Sequence, residues 1–360
     1  MSDKTVTGPA RRTAQHRRVN IALQGGGAHG AFTWGVLDKF FEDDRIWIDC
    51  ISGTSAGAMN TVVAAHGMYE GGAVGARRKL REFWKAVSDA ARLSPMQRSP
   101  WAKVTGDWSL EGSPGFMMMS MLQRLASPYD LNPLRYDPLR EIVEQVVDFD
   151  KVRGCHDMEV FLSATNVETG KVRFFTREEV TLDATMASAC LPSMFHAVEI
   201  DGVPYWDGGF IINPPIMPLI NGSETNDILI IQINPVTRPG TPKTAADIQN
   251  RMNEITFNAS LLHQLRMVHL IEGMVAAGQL DPEVHRRMHI HIVHANDRMS
   301  HLDASSKLNA EWDFLLHLFE IGRSTADQWL SAHFDDLGVR SSVDLDEMFS
   351  HLDWHPNGRS

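Results

Sequence analysis

The start of the chain contains two apolar strands, each followed at once by a glycine-rich turn and a helical pattern. The strands Val19–Leu23 and Ile46–Ile51 run into the sequences QGGGAHGAF (24–32) and SGTSAGA (52–58). Apolar residues then recur at helical spacing over 32–41, and small residues fill a second helical stretch over 54–66. Strands that alternate with helices predict an α/β fold rather than an all-helical or all-β one.

The rest of the chain continues this alternation. Further strands are predicted at Glu159–Asn166, Val172–Thr176, Asp227–Ile233 and His289–His294, and further helices at Arg77–Val87 and over 248–262. The expected organisation is a disordered basic tail (1–18), a single domain (19–338) with an irregular insertion (94–136), and a C-terminal tail (339–360). The insertion is assigned from its many Pro, Gly, Trp and Met residues.

Composition narrows the class of protein. With 43% hydrophobic and 22% charged residues, the chain is typical of a soluble globular protein. A net charge of -11 argues against a nucleic-acid partner, because phosphate binding needs concentrated positive charge. The basic N-terminal stretch lacks the apolar region of a signal peptide, and later apolar runs are too short to span a bilayer. The three cysteines form neither a disulfide framework nor a metal motif. We expect a cytoplasmic protein, with peripheral membrane contact as an open alternative.

The first glycine-rich turn has two interpretations. Gly25, Gly27 and Gly30 satisfy the G-x-G-x-x-G spacing of a dinucleotide-binding loop, and acidic residues follow from Asp43 onward. The alternative is a loop whose N–H groups stabilise a negative charge that forms only during a reaction. This spacing alone does not decide between them.

The second turn favours the catalytic interpretation. Residues 53–57, GTSAG, form a G-x-S-x-G pentapeptide between a strand and a helix. Small residues at Gly53 and Gly57 allow a sharp turn that exposes the Ser55 hydroxyl, and the following helix adds its positive dipole end. We therefore predict that Ser55 is a nucleophile, against the alternative of a purely structural glycine turn.

A serine that attacks a carbonyl creates an oxyanion, which requires preorganised N–H donors. Gly25, Gly26 and Gly27 end the neighbouring strand, and a backbone without side chains can turn successive N–H groups to one side. The two glycine motifs then serve one reaction, whereas a nucleotide site would leave Ser55 without a role.

The motifs GGGAHGAF, GTSAG and DGGF (Asp207–Phe210), in this order, resemble those of the patatin-like phospholipases. The resemblance covers roughly residues 19–235, and ASACLPSMF (187–195) also resembles the family's helix and proline turn. It implies a three-layer α/β/α fold with a mainly parallel central sheet and the nucleophile on a strand-turn-helix elbow. It also implies a serine lipid acyl hydrolase with a Ser55–Asp207 dyad and an oxyanion loop at Gly25, Gly26 and Gly27.

One position departs from the family pattern. The family's loop often carries Arg or Lys where this chain has His29. A histidine supplies less positive charge at neutral pH, since its ordinary pKa is about 6.5. His29 is therefore a candidate for loop support with an unusual pH dependence, or a residue that only caps or packs.

Asp207 is a weak base at its ordinary pKa of about 3.9. Proton transfer from serine becomes plausible if the carboxyl is desolvated and lies within hydrogen-bond reach of Ser55. Tyr205 and Trp206 before it and the two glycines after it suit such a setting. The alternative is an ordinary Asp-Gly turn.

Two further alternatives remain open. A Ser-acid-His triad esterase, acting on soluble or polymeric esters, would use His294 at the end of an apolar strand. A non-catalytic protein would use the glycine loop for a nucleotide. Histidines 285, 289, 291 and 294 lack the acidic partner of an H-E-x-x-H motif, so neither a metal nor another cofactor is expected.

The substrate is the least constrained feature. Ester chemistry follows from the site, whereas phospholipid specificity follows only from the family resemblance, and other apolar acyl esters, storage polyesters included, remain open. The sequence GFMMMSML (115–122) suits either a lid or acyl-chain wall, or an ordinary core helix.

Overall fold

The computed structural model describes residues 16–282 and 284–349. Its strands are β1 (Arg17–Leu23), β2 (Ile46–Gly53), β3 (Glu159–Asn166), β4 (Val172–Thr176), β5 (Val198–Ile200), β6 (Val203–Asp207), β7 (Asp227–Ile231) and β8 (His289–Val293). Its α-helices are α1 (Gly30–Glu42), α2 (Ala56–Ala91), α3 (Pro100–Thr105), α4 (Pro114–Leu125), α5 (Pro128–Leu131), α6 (Pro138–Val146), α7 (Phe149–Arg153), α8 (Leu182–Ser188), α9 (Met217–Gly222), α10 (Ala245–Ala276), α11 (Asn296–Met299), α12 (Trp312–His333) and α13 (Leu345–Phe349).

The strands form one mixed sheet in the order β5-β6-β3-β2-β1-β7-β8, with β4 paired to β3. The five central strands β3, β2, β1, β7 and β8 are mutually parallel, whereas β4, β5 and β6 add antiparallel pairs at one side. The predicted α/β fold with a mainly parallel sheet is confirmed. The carboxyl ends of β1 and β2 lie side by side, which brings the two glycine-rich turns together.

Helices cover both faces of the sheet, because alternate residues of the central strands are apolar on each side. In β1, Ile21 and Leu23 belong to the core beneath α1, α2 and α12, whereas Ala22 faces the smaller core beneath α9, α10 and α13. The three free cysteines are all buried in the described region. The result is a three-layer arrangement.

Helix α12 was not predicted, yet it packs directly against α1. The contact depends on two glycines: a Cβ at Gly35 would strike the Phe319 carbonyl, and a Cβ at Gly322 would strike the Phe32 carbonyl. The two backbones therefore approach more closely than larger residues would permit. The long α2 contains the predicted helix 77–87 and all but the first two residues of the predicted helix 54–66, and the two parts are separated by a kink at Gly71 and Gly72.

The predicted tails differ from the structure where it describes them. Strand β1 begins at Arg17 rather than after residue 18, because Arg17 N–H donates to the Arg45 carbonyl (2.8 Å) and Arg18 pairs with Asp49 (2.7 Å). After residue 338, α13 buries Leu345 and Phe349 against α10, so the end of the domain extends to this helix. Residues 1–15 and 350–360 of the predicted tails lie outside the described residues.

The insertion over 94–136 is helical rather than irregular. Each of α3, α4 and α5 begins with a Ser-Pro pair in which the serine hydroxyl caps the helix and proline occupies the first turn, at Ser99, Ser113 and Ser127. This is a standard helix-start signal, and the prediction overlooked it. No residue of α4 is buried, so the core-helix interpretation of 115–122 is wrong. None of the described helices has the length and hydropathy required to cross a bilayer.

The α1–α12 contact generates a stability prediction. We expect Gly35→Ala to lower the free energy of unfolding by about 1–3 kcal/mol, since the added methyl group forces the two backbones apart. Gly273→Ala in α10 is the matched control, because its Cβ would meet no atom within 4 Å, and it should raise helix stability by up to about 1 kcal/mol. Urea unfolding of both variants measures the difference. Equal stability of the two variants would contradict the close helix contact.

Candidate active site

Ser55 occupies a strained turn between β2 and α2. Its backbone has φ 57° and ψ -124°, a conformation that is unfavourable for a residue with a side chain. The turn is held by Ser188 at the end of α8, whose carbonyl and hydroxyl oxygens accept the Ser55 N–H at 3.0 and 3.1 Å. Ser55 is half-buried, as expected for a side chain presented at the floor of a cavity.

Asp207 is the last residue of β6 and is fixed by its backbone. It pairs with Ala164 of β3, its N–H donates to the Cys190 carbonyl (2.8 Å), and its carbonyl accepts from the Thr165 hydroxyl (2.8 Å). The carboxyl oxygen Oδ1 accepts the N–H of Gly209 at 2.7 Å. These contacts leave the carboxyl little freedom to move.

The Asp207 carboxyl is fully buried, and none of the described basic side chains forms an ion pair with it. Burial raises its pKa to about 7, although the Gly209 N–H and the Ser55 hydroxyl both oppose the increase. Its second oxygen, Oδ2, makes no hydrogen bond of ordinary geometry with the described residues. A carboxyl in this state accepts a proton near neutral pH, and Ser55 is the one side chain that contributes to its pKa.

The glycine loop lies against the serine turn. A Cβ at Gly25 would fall 2.7 Å from the Cβ of Ser55, so only glycine fits there. The N–H of Gly25 is already used, since it donates to Asn213 Oδ1 at 2.7 Å. The N–H groups of Gly26 and Gly27 have no acceptor within the described part of the chain. Of the three glycines expected to donate to an oxyanion, only Gly26 and Gly27 therefore remain candidates. The first N–H of α2, at Ala56, is a third candidate.

A buried network of amides supports the loop from below. The Gln24 side chain donates to Asn258 Oδ1 (2.9 Å) and accepts the N–H groups of Ile233 and Asn234 (2.9 Å each). Asn234 Nδ2 in turn donates to the carbonyl of Gly25 (3.1 Å). The side-chain amides of Gln24 and Asn234 are thus bonded to the backbone on both sides, which fixes the position of the loop.

His29 is buried rather than facing the reaction site. Its Nε2 forms a 2.8 Å hydrogen bond with the Ser306 hydroxyl, and its ring packs edge-on against Phe314. Burial lowers the pKa of His29 well below its usual value, and the charges of Lys307 and His301 lower it further. The imidazole is therefore neutral at pH 7 and carries no charge to the loop.

Lys307 brings a positive charge close to the loop instead. Its carbonyl lies against Gly27, and its ammonium donates to Asn234 Oδ1 at 2.7 Å. Asn234 also holds the Gly25 carbonyl, which links the ammonium to the loop. No carboxylate among residues 16–282 and 284–349 forms an ion pair with Lys307. Burial lowers the pKa of this ammonium to about 8.

An apolar cavity of about 370 Å³ opens beside Ser55. Its lining includes Gly27 and Ala56, two of the three candidate donors, and its walls come from α2, α6 and the turn after α8. Wall residues include Met59, Phe83, Trp84, Leu139, Ile142, Leu191, Met194 and Phe195. Both the volume and the lining suit an apolar chain.

His294 lies in a different part of the molecule. It follows β8, which is three strands away from β2 and so roughly 14 Å distant at the usual strand spacing. It lines a larger cavity of about 1060 Å³ between α10, α12 and β8, to which neither Ser55 nor Asp207 contributes. Size alone would favour that cavity, but the reactive groups are beside the smaller one. The geometry therefore does not support a triad that uses His294.

The other histidines of β8 are structural. His291 Nε2 forms a 3.0 Å hydrogen bond with Asp227, and His291 Nδ1 contacts the Ser342 hydroxyl at 3.1 Å. His289 lies 3.5 Å from the same Asp227 carboxylate. Within the described ranges, no group of three or more His, Cys, Asp or Glu side chains could hold a metal ion.

Comparison with known proteins agrees with this geometry. The family model of patatin-like phospholipases matches residues 21–220, more than half of the chain. The chain belongs to the patatin-like phospholipase family. The matched region runs from β1 through α9 and includes the glycine loop, Ser55 and Asp207. Family membership implies a lipid acyl hydrolase.

Two other comparisons add little detail. The crystal structure of VipD from Legionella pneumophila is similar over 86% of this chain and 67% of that chain, with 12% sequence identity and a TM-score of 0.34. No curated protein sequence matches the chain. The patatin-like fold rests on the family match and on the mostly parallel sheet described above.

Several residues of the site were not predicted from the sequence. Ser188 holds the serine turn, Asn213 takes the N–H of Gly25, and Lys307 lies beside the loop. Ser188 lies within the ASACLPSMF motif (187–195), so its neighbourhood was recognised but its role was not. Asn213 and Lys307 follow no motif, and only the folded chain brings them to the loop.

The buried carboxyl generates a pH-dependent stability prediction. A carboxyl whose pKa is raised on folding destabilises the folded state as pH rises from its unfolded pKa of about 4 towards 7, by about 4 kcal/mol in total. Asp207→Asn removes this penalty and still accepts the Gly209 N–H. We expect the variant to gain stability relative to the wild type as pH rises from 4 to 8. Urea unfolding at several pH values measures this difference, and a constant difference would show that the carboxyl is solvated.

Proposed function

We propose that the protein hydrolyses carboxylic ester bonds of phospholipids or related apolar acyl esters through an acyl-enzyme on Ser55. The observation that carries this proposal is a buried carboxyl, Asp207, whose pKa is lowered by the hydroxyl of Ser55, a residue that itself lines an apolar cavity. In this arrangement a nucleophile, a base and a binding space for an acyl chain lie together. A nucleotide site would need none of the three.

The first half of the reaction forms the acyl-enzyme. The Asp207 carboxylate accepts the proton of the Ser55 hydroxyl while Ser55 Oγ attacks the ester carbonyl carbon. The carbonyl oxygen becomes an oxyanion, which the free N–H groups of Gly26, Gly27 and Ala56 stabilise. The ester C–O bond then breaks, and Asp207 returns its proton to the departing alcohol.

The second half of the reaction releases the acid. Asp207 accepts a proton from a water molecule, whose oxygen attacks the acyl carbon of Ser55. The oxyanion forms again at the same donors and collapses with release of the carboxylic acid. Asp207 then returns the proton to Ser55 Oγ, so the site regains its starting state without a metal or a cofactor.

The apolar cavity supports an acyl chain as the group bound on the acid side of the ester. Its wall contains methionine, leucine and aromatic side chains and few polar atoms, so binding there removes apolar surface from water. Lys307, a half-buried ammonium without a carboxylate partner in the described chain, supplies positive potential beside the loop where the oxyanion forms.

The dyad generates the central mutational prediction. Ser55→Ala should abolish labelling by a fluorophosphonate probe and lower ester turnover about 10⁴-fold or more, because no nucleophile remains. Asp207→Asn should lower kcat by about 10²–10⁴-fold, because the amide cannot accept the proton. Turnover of a soluble p-nitrophenyl ester measures both effects.

His294→Ala is the matched control for the triad alternative. Since His294 lies three strands away from the serine turn, this variant should retain wild-type turnover. Loss of activity in His294→Ala together with an active Asp207→Asn would assign the protein to the triad esterases. Probe labelling that persists in Ser55→Ala would place the nucleophile at another residue.

A further inference from the structure

The helical insertion carries an unusual amount of exposed apolar surface. Trp101, Val104, Leu125 and Leu134 are each between 72% and 90% exposed. We call the whole set the apolar rim: Leu93, Trp101, Val104, Met117, Met118, Met121, Leu122, Leu125, Tyr129, Leu131, Leu134 and Tyr136. Single exposed apolar residues are common on soluble proteins, but a dozen in one short segment indicates a binding surface.

Helix α4 has its apolar face towards solvent. Its five exposed apolar residues are Met117, Met118, Met121, Leu122 and Leu125. At 100° per residue they fall within an arc of roughly 140° on one side of the helix. An amphipathic helix normally turns such a face towards a core, whereas no residue of α4 is buried.

The start of helix α4, which belongs to the apolar rim, is attached to the wall of the cavity beside Ser55. The Ser113 hydroxyl, which caps α4, donates to the Pro95 carbonyl at 3.4 Å, and Gly115 packs against the backbone of Pro95. Ser94 and Met96, on either side of Pro95, line the cavity that contains Ser55. Helix α4 therefore starts directly beside this cavity.

A later residue of the apolar rim, Tyr129, contacts the segment that forms another part of the cavity wall. The Tyr129 ring packs on His196 with centroids 4.1 Å apart, and its hydroxyl accepts the Ala197 N–H at 3.3 Å. Met194 and Phe195, immediately before His196, form part of the cavity wall. The exposed apolar surface is thus attached to two segments of the cavity wall.

We propose that the apolar rim docks on a lipid surface, so that an acyl ester passes from the lipid layer directly into the cavity beside Ser55. This proposal rests on the proposed function, because it names the source of the substrate. A second copy of the protein on the same surface would block the cavity from an apolar substrate, because the surface is attached to the cavity wall. A lipid layer bound to the same surface would instead supply the substrate to the cavity.

The charges within the segment indicate how docking takes place. Residues 93–136 contain four basic and three acidic residues: Arg98, Lys103, Arg124, Arg135, Asp107, Glu111 and Asp130. Because these charges nearly balance, attraction to anionic lipid contributes little, and burial of apolar side chains provides the binding energy. Docking should therefore occur on zwitterionic vesicles and persist at high salt.

The test is co-sedimentation with phosphatidylcholine vesicles at high salt. The double variant Met118→Glu/Met121→Glu places two charges on exposed positions of the apolar rim and should lower the vesicle-bound fraction about tenfold or more. Met267→Glu/Leu270→Glu is the matched control, since it makes the same spacing of charges at exposed apolar positions of α10. The control should bind vesicles as the wild type does.

Two enzyme assays separate docking from catalysis. The rim variant should lose hydrolysis of vesicle phospholipid in proportion to its lost binding and keep wild-type turnover of a soluble p-nitrophenyl ester. Ser55→Ala should bind vesicles as the wild type does. If the wild type binds vesicles through the rim but hydrolyses no ester, the proposed function is refuted and the docking proposal is not. Unchanged vesicle binding by the rim variant, or equal loss in the control, would refute docking through the rim. A wild-type dimer that the rim variant converts to a monomer, measured by light scattering, would also refute it.

Discussion

The proposed catalytic arrangement depends on a carboxyl group, that of Asp207, which the fold keeps out of water. Among the described residues the Asp207 carboxyl has one backbone hydrogen bond, from Gly209, and no ion pair, so its burial costs free energy whenever it is ionised. The cost is tolerated because β6 is locked to β3 and the Asp207 backbone is held at both its N–H and its carbonyl. The strained turn at Ser55 is held in the same way by Ser188. Two unfavourable local states are thus maintained side by side by the surrounding sheet, which is typical of sites that need preorganised groups.

The backbone polar atoms of the glycine loop fall into two groups. Those of Gly25 hold the loop in place, whereas the next two N–H groups have no acceptor in the described structure. The N–H of Gly25 is used by Asn213 and its carbonyl by Asn234, which fixes the first residue of the loop. The following two N–H groups have no acceptor in the described structure, and in the proposed reaction they are the donors to the oxyanion. Positive potential comes from Lys307 and not from His29, whose burial against Ser306 and Phe314 keeps it neutral.

Local sequence was sufficient for the elements that carry their own signal. Strands β1 and β2 are continuous apolar runs that end in glycine turns, so both the fold class and the Ser55 turn could be predicted. The β5–β6 hairpin was not predicted, because its sequence VEIDGVPYWD mixes charged residues with proline. The hairpin joins the sheet only where β6 pairs with β3. The role of His29 could not be predicted either, because the residues that bury it, near position 306 and in α12, are distant in sequence. Helix α4 shows the opposite case, in which composition suited a core but the fold left the helix exposed.

The most direct test of this account is the pH dependence of kcat/KM for a soluble p-nitrophenyl ester, measured in the wild type and in His29→Gln. Because burial raises the pKa of Asp207 to about 7, activity should increase with pH as one proton is lost, with a midpoint near 7. Glutamine keeps a hydrogen-bonding group for Ser306, and His29 is already neutral in this range, so the variant should show the same midpoint. A wild-type midpoint near the ordinary carboxyl value of about 4, or a midpoint that moves in His29→Gln, would contradict a desolvated Asp207 as the base.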